Sequence, residues 1–432
     1  MNLFGTSGIR RTADRGLFEL AWKAGLATGK TYARVVVGTD TRTSSEALKH
    51  VFVAGLLAAG ADCFDAGVLP TPTLALATRR FQAGAMITAS HNPPEYNGIK
   101  LLNPDGSAFD TGQRQQMEKV ILSDSLSVAR WTEIKSSHTY DGAIAEHTEH
   151  ILKAFPGKPK LKVALDCGCG AASVITPFLL TRMGCELVAL NCTPSGFFPH
   201  DVEPVEANLG DLIRATRESG ADLGIAHDGD ADRMMAVDDK GRFIPGDKLL
   251  AILAQQTRAK KVVTTVDASR VIDELGFSIT RTRVGDIYVS EELKRGGDFG
   301  GEPSGAWIFP QSSLCPDGIY AAAQLVAIAS QHKLSALVDE IPQYPLQRGS
   351  IPAQKIALTE LAGRLSAMKP LSMSNIDGLK LDFADGWLLI RGSGTEPKVR
   401  ISAEARTEAR VQQLYESGVR TIKEYLKKGK EA

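Results

Sequence analysis

Ile87-Thr88-Ala89-Ser90-His91-Asn92-Pro93-Pro94-Glu95-Tyr96-Asn97-Gly98-Ile99-Lys100 is the stretch around which the rest of the chain is organised. The run entering it, Ala85-Met86-Ile87-Thr88, has the composition of a buried strand and stops at a serine. Two prolines follow. Neither can donate a backbone hydrogen bond or leave its fixed φ, so neither strand nor helix continues there. The spacing predicts Ser90 on a stiff, solvent-facing loop at a strand end, the edge at which open α/β sheets hold ligands. A hydroxyl there, with an imidazole at His91 and an amine at Lys100, can carry a transferable group. A polar turn with an ordinary, satisfied serine is the alternative that this stretch alone leaves open.

Upstream, residues 17–30 have helical period, and a strand at 34–38 ends in the polar turn Thr39-Asp40-Thr41-Arg42. A helix at 45–59, a short strand at 62–65 and a helix after Pro72 precede the Ser90 strand. This alternation predicts a mainly parallel sheet covered on both faces. Before it, Gly5-Thr6-Ser7-Gly8-Ile9-Arg10-Arg11 suits anion contact or a flexible terminus. Downstream, residues 124–157 read as a domain junction leading through a helix. A second α/β unit has strands at 161–166, 186–190 and 223–226. A third starts near Gly241, with strands at 261–266 and 278–283 and a short run before Gly300. The proline-punctuated residues 341–352 read as a linker. The tail changes character: a hairpin-like pair at 386–391 and 399–405, closed by a helix at 408–427, suggests a small α+β domain.

The 432 residues carry 50 Lys plus Arg and 50 Asp plus Glu, which removes any electrostatic case for nucleic acid or an anionic membrane surface. At 43% hydrophobic and 23% charged the composition is that of a soluble globular protein, with no apolar run long enough for a membrane span and no signal-like start. The expected compartment is the cytoplasm, where the six cysteines stay reduced. Cys167-Gly168-Cys169 with Cys185 and Cys192 matches no zinc-ligand spacing, and small buried thiols are the better reading.

Three further loops carry chemistry. Asp228-Gly229-Asp230-Ala231-Asp232 sets three carboxylates at alternate positions, which repel unless a cation sits between them; hard oxygen ligands on a short loop suit Mg²⁺. An EF-hand needs glycine at the sixth position and glutamate at the twelfth, where this chain has Arg233 and Asp239. A phosphatase with an aspartate nucleophile leaves Asp232 and Arg233 unexplained; a solvated acidic turn stays open. Gly301-Glu302-Pro303-Ser304-Gly305 offers a carboxylate able to accept from two neighbouring sugar hydroxyls, and is also readable as an ordinary tight turn. Arg391-Gly392-Ser393-Gly394-Thr395-Glu396-Pro397-Lys398-Val399-Arg400 has the hydroxyls, N–H groups and arginines of a phosphate cradle. Together these loops fit one reaction: moving a phosphoryl group between two positions of a sugar.

In order and spacing, Thr88-Ala89-Ser90-His91-Asn92-Pro93, Asp228-Gly229-Asp230-Ala231-Asp232-Arg233, Gly301-Glu302-Pro303-Ser304-Gly305 and Arg391-Gly392-Ser393-Gly394-Thr395-Glu396-Pro397 resemble the α-D-phosphohexomutase family. The resemblance spans the chain. It implies three similar mixed-sheet α/β domains and a smaller C-terminal α+β domain around a central cleft, with boundaries at 1–137, 138–241, 242–345 and 346–432. It implies a phosphoserine at Ser90 and one Mg²⁺ held by Asp228, Asp230, Asp232 and a phosphoserine oxygen. Arg10, His91 and Lys100 would handle protons and charge, with Lys100 the general base and acid. Arg233, Gly285, Asp286, Glu302 and Ser304 would bind the sugar. Arg391, Ser393, Gly394, Thr395 and Arg400 would bind the non-reacting phosphate. The implied activity interconverts hexose 6- and 1-phosphates, with a hexose 1,6-bisphosphate as intermediate and activator. The start and the last loop look like archaeal-type phosphoglucosamine mutases, so glucosamine phosphates lead and glucose or mannose phosphates are the alternative. Pro303, where bacterial glucosamine enzymes usually have Gln and glucose/mannose enzymes Met, departs from both patterns, as does Gly392.

Overall fold

The computed structural model describes residues 3–5, 8–123, 126–353, 358–392 and 398–431. Four sheets succeed one another along the chain. The first has six strands in the order Ile9–Thr12, Tyr96–Leu102, Ala83–Ile87, Arg34–Thr39, Asp62–Val68 and Ser137–Thr139. The second runs Met234–Val237, Leu223–His227, Lys162–Asp166, Glu186–Leu190, and the third Ser278–Thr282, Lys261–Thr265, Phe299–Gly301, Trp307–Ile308. The C-terminal sheet is wholly antiparallel: Leu346–Pro352, Lys398–Ala405, Gly386–Gly392, Leu379–Phe383, Ser372–Ser374.

The first three sheets are mainly parallel, as expected, and mixed, as the resemblance implies; their antiparallel strands frame the candidate loops. In each of the first three sheets a strand parallel to its neighbour runs into a functional loop, and the chain returns antiparallel beside it. Ala83–Ile87 lies parallel to Arg34–Thr39 and is answered by Tyr96–Leu102. Leu223–His227 is answered by Met234–Val237, and Phe299–Gly301 by Trp307–Ile308. The C-terminal sheet repeats the device with Gly386–Gly392 and Lys398–Ala405. The first three loops are thus hairpin tips, where ladder pairing stops and backbone N–H and C=O groups are freed for other work.

Two readings of local structure change. Residues 346–352 form an edge strand rather than a linker; Pro352 ends it, where a missing donor costs no ladder bond. Ile9–Thr12 is a strand paired with Tyr96–Leu102, not a flexible terminus. The expected helices at 17–30, 45–59 and 408–427 form as Arg15–Thr31, Ser45–Ala58 and Glu408–Glu431.

Sheets two and three share one apolar core that runs from Ile151 and Val163 through Ile225 to Phe299, Trp307 and Ile341. The first domain has its own core around Leu17, Phe52 and Ile87, and the last around Leu381, Ile401 and Ile422. A small cluster of Val266, Trp387 and Leu389, with Val284 against it, joins the third and fourth sheets.

Candidate active site

Ser90 ends the first loop's descent with φ at 53°, the left-handed region, held by its N–H on Thr88 Oγ1 at 2.8 Å. The expected solvent-facing serine is in fact only 1% exposed; the exposed part of the loop is Pro93, Pro94 and Glu95. The reason is a buried cation that sequence reasoning misses. Arg42, in the polar turn after the second strand, pairs with Asp40 at 3.1 Å and donates to the carbonyls of Ser90, Asn92, Pro93 and Tyr96 at 2.6 to 2.9 Å. It uses its fork of N–H donors to collect the loop's unpaired carbonyls. The available signal is a charged pair, Asp40 and Arg42, closing an otherwise apolar strand.

Ser90 Oγ donates to Asp228 Oδ2 at 2.7 Å, across the boundary between the first two sheets, and lies 3.3 Å from His91 Nδ1. The approach is close enough that a Cβ on Gly229 would fall 2.6 Å from the Ser90 carbonyl. Asp228, Asp230 and Asp232 are buried, and a ligand oxygen from each lies within 4.8 Å of the others. Burial and the neighbouring carboxylates push Asp228 and Asp230 up. Burial works the same way on Asp232, but Lys100 and Arg233 overcome it and hold that carboxyl down. Asp230 accepts from Thr71 through Oδ2, and its Oδ1 is buried with no partner among the described residues. An unpartnered buried oxygen among mutually repelling carboxylates is the donor set of a hard dication, so the residues fit Mg²⁺.

Lys100 sits 2% exposed on the returning strand, with Nζ 2.9 Å from Asp232 and 3.7 Å from Asp286. Burial opposes its charge, yet these two carboxylates raise its pKa above the ordinary lysine value, so it is an ammonium here. Asp286, expected at the sugar, thus faces Lys100 as well. His91 is driven far down by burial and by Arg233, Arg10, Arg42 and Lys100 around it, and is neutral. Arg10 reaches Asn92 Oδ1 at 3.2 Å. Arg233 gives its backbone N–H to Asp228 Oδ1 and its guanidinium to Glu203 at 3.4 Å. A cavity of about 520 Å³ opens beside this corner, between His91–Asn92 and Phe198, His200 and Glu203.

The second and third hairpin tips are stitched together: Met234 N–H donates to Gly305 O at 3.0 Å and Trp307 Nε1 to Met234 O at 2.7 Å. Glu302 is buried and accepts the Gly285 N–H at 2.7 Å, while Ser304 is exposed at the tip. On the fourth hairpin Arg391 lies directly opposite Arg400. Asp377 pairs with Arg391 there at 3.2 Å. Ser393, Gly394 and Thr395 lie outside the described residues. Side-chain links run across the first three domains: Ser90 to Asp228, Asp232 to Lys100 to Asp286, and Glu302 to Gly285 beside it.

A scaffold of three mixed α/β sheets and an antiparallel C-terminal sheet, with a serine against three buried aspartates, defines a phosphoryl-transfer enzyme. The comparisons give the family. Four models match in succession: phosphoglucomutase/phosphomannomutase alpha/beta/alpha domain I over residues 1–127, domain II over 144–241, domain III over 245–344, and the C-terminal domain over 351–419. The chain belongs to the phosphoglucomutase/phosphomannomutase family and is a phosphomutase. It is 48% identical to a probable phosphoglucosamine mutase of Methanocella arvoryzae, covering 98% of both chains. It is 40% identical to the phosphoglucosamine mutase of Methanocaldococcus jannaschii, over 98% of this chain and 99% of that one. Among solved structures, a phosphoglucomutase/phosphomannomutase family protein of Burkholderia thailandensis superposes with a TM-score of 0.85 at 29% identity, covering 98% of this chain and 97% of that one. The family depends on Mg²⁺, and the acidic trio is present. No helix among the described residues is long and apolar enough to cross a membrane.

Proposed function

We propose that the chain interconverts glucosamine 6-phosphate and glucosamine 1-phosphate through a phosphoserine at position 90. The observation that carries the reading is the 2.7 Å contact of Ser90 Oγ with Asp228, beside two further buried carboxylates. The choice of glucosamine over glucose or mannose rests on the names of relatives that match end to end.

Phosphorylated Ser90 gives its phosphoryl group to the free hydroxyl of a hexose phosphate: the bond from phosphorus to Oγ breaks, one to the sugar oxygen forms, and the hydroxyl proton leaves. The 1,6-bisphosphate so made turns end for end and returns its other phosphoryl group to Ser90; added from outside, it also primes unphosphorylated enzyme. Asp228, Asp230 and Asp232 would hold one Mg²⁺, which supplies positive charge to the transferring oxygens. Lys100 serves as acid toward the leaving oxygen and, once deprotonated, as base toward the attacking hydroxyl. Arg10 and His91 line the transfer point, His91 as a neutral hydrogen-bonding group. Arg233, Gly285, Asp286, Glu302 and Ser304 read the sugar. Arg391, Ser393, Gly394, Thr395 and Arg400 hold the phosphate that does not react. In this reading the working units are 1–137, 138–241, 242–345 and 346–432, and the setting is the cytoplasm, in keeping with six free thiols.

Turnover of glucosamine, glucose and mannose 6-phosphates by purified protein, with and without hexose 1,6-bisphosphate, tests this. The highest kcat/KM is expected on glucosamine 6-phosphate, with no isomerisation in a folded Ser90→Ala variant. Preference for glucose or mannose phosphate would overturn the substrate assignment. Steady phosphate release without isomerisation would overturn the mutase reading.

A further inference from the structure

Asp377 belongs to none of the four loops, yet it touches two of the segments that carry site residues. Its Oδ2 accepts the Val284 N–H at 3.1 Å and pairs with Arg391 Nη1 at 3.2 Å. Val284 precedes Gly285, whose own N–H is held by Glu302. One residue earlier, Arg283 Nε bonds the Ile376 carbonyl at 3.0 Å. The turn is seated against the cradle strand: Gly378 has φ at 80°, and a Cβ there would fall 2.3 Å from Ile390 O and 2.7 Å from Arg391 Cβ. Arg391 Nε, by contrast, is buried with no hydrogen-bond partner among the described residues. Asp377 therefore grips this guanidinium by one nitrogen, while Nε stays unpaired among the described residues.

We infer that Asp377 is a positioning residue that couples the phosphate cradle to the sugar-reading loop, fixing the separation of the two. The inference rests on the phosphomutase reading above. A bisphosphate that must fit in two opposite poses requires a constant distance between the groups that hold its distal phosphate and those that hold its ring. A carboxylate shared by Arg391 and the Val284–Gly285 backbone supplies that constancy. It also holds a rotamer-rich arginine in place before substrate arrives, which removes an ordering cost from binding.

The experiment compares wild type with Asp377→Ala and Asp377→Asn, each checked by thermal melting. The alanine variant loses both bonds. The asparagine variant keeps an acceptor for Val284 and loses the charge that orients Arg391. Losing a hydrogen bond to a charged group predicts KM for the hexose phosphate raised about tenfold or more in the alanine variant, with an intermediate rise for asparagine. The inhibition constant of inorganic phosphate rises in parallel, and kcat changes little because Ser90 and the aspartate trio lie in other domains. A lower melting temperature with unchanged KM and unchanged phosphate inhibition marks a plain interdomain clasp and overturns the inference. An inactive wild type overturns the phosphomutase reading instead, and the inference falls with it.

Discussion

Glu302 shows how much a single residue's surroundings decide. Burial first, and Asp286 second, push its carboxyl up to about 8 from 4.5, against the pull of Arg233. A carboxyl with a raised folded-state pKa binds a proton that the unfolded chain gives up. Its folded form is therefore favoured at low pH, and stability declines as pH rises between about 4.5 and about 8. Melting temperatures measured across that window should fall in wild type and fall less in Glu302→Gln, which mimics the protonated form; equal slopes would refute the assignment. With Oε1 taken by Gly285, the protonated residue can also donate from its other oxygen to a sugar hydroxyl. None of this is legible in Gly301-Glu302-Pro303-Ser304-Gly305, where only the residue types can be read. The same holds for Arg42: its charge is visible in the sequence, but the four carbonyls it collects come together only in the folded loop.

At the scale of elements, the hairpin is the unit of construction, and it explains what can be read and what cannot. The strands entering the loops are apolar and buried, so Ala83–Ile87 and Leu223–His227 are visible as strands. The returning strands Trp307–Ile308 and Tyr96–Leu102 are not. Trp307–Ile308 has two residues, and Tyr96–Leu102 begins with polar residues and carries a buried lysine, so neither shows a clean alternation. The N-terminal strand Ile9–Thr12 has three polar residues of four and gains its identity from Tyr96–Leu102 alone. Gly98 is what lets the two meet: a Cβ there would fall 2.0 Å from Ile9 O and 2.9 Å from Thr88 O. Gly98→Ala should therefore push the N-terminal strand off the sheet, carry Arg10 away from Asn92, and lower both kcat/KM and stability, the latter by about 1–3 kcal/mol as for overpacking elsewhere. Gly210→Ala, at a helix start with nothing within 4 Å, is the control and should leave both measures near wild type. Retained stability and activity in Gly98→Ala would show that the N-terminal strand does not position Arg10.

For the whole molecule, the governing fact is that the candidate site's groups come from all four sheets, and that those of the first three are joined by side-chain contacts. Ser90 and Lys100 come from the first sheet, the aspartate trio from the second, Asp286 and Glu302 from the third and Arg391 from the fourth. Three buried carboxylates brought together this way repel one another, and Lys100 and Arg233 offset only part of that. Folding thus creates a cation site that the unfolded chain lacks, and a cation bound only by the folded form stabilises it by about 2.7 kcal/mol at about 100 times its Kd. Mg²⁺ added to chelator-treated protein should raise its melting temperature in a saturable way and restore turnover. Asp230→Asn should melt higher than wild type in the absence of metal, because one repelling charge is gone, and should respond less to added Mg²⁺. That crossing of effects distinguishes a metal site from a general salt effect, which would move both proteins alike. A melting temperature indifferent to Mg²⁺, together with turnover that survives thorough chelation, would mean that Lys100 and Arg233 alone balance the trio.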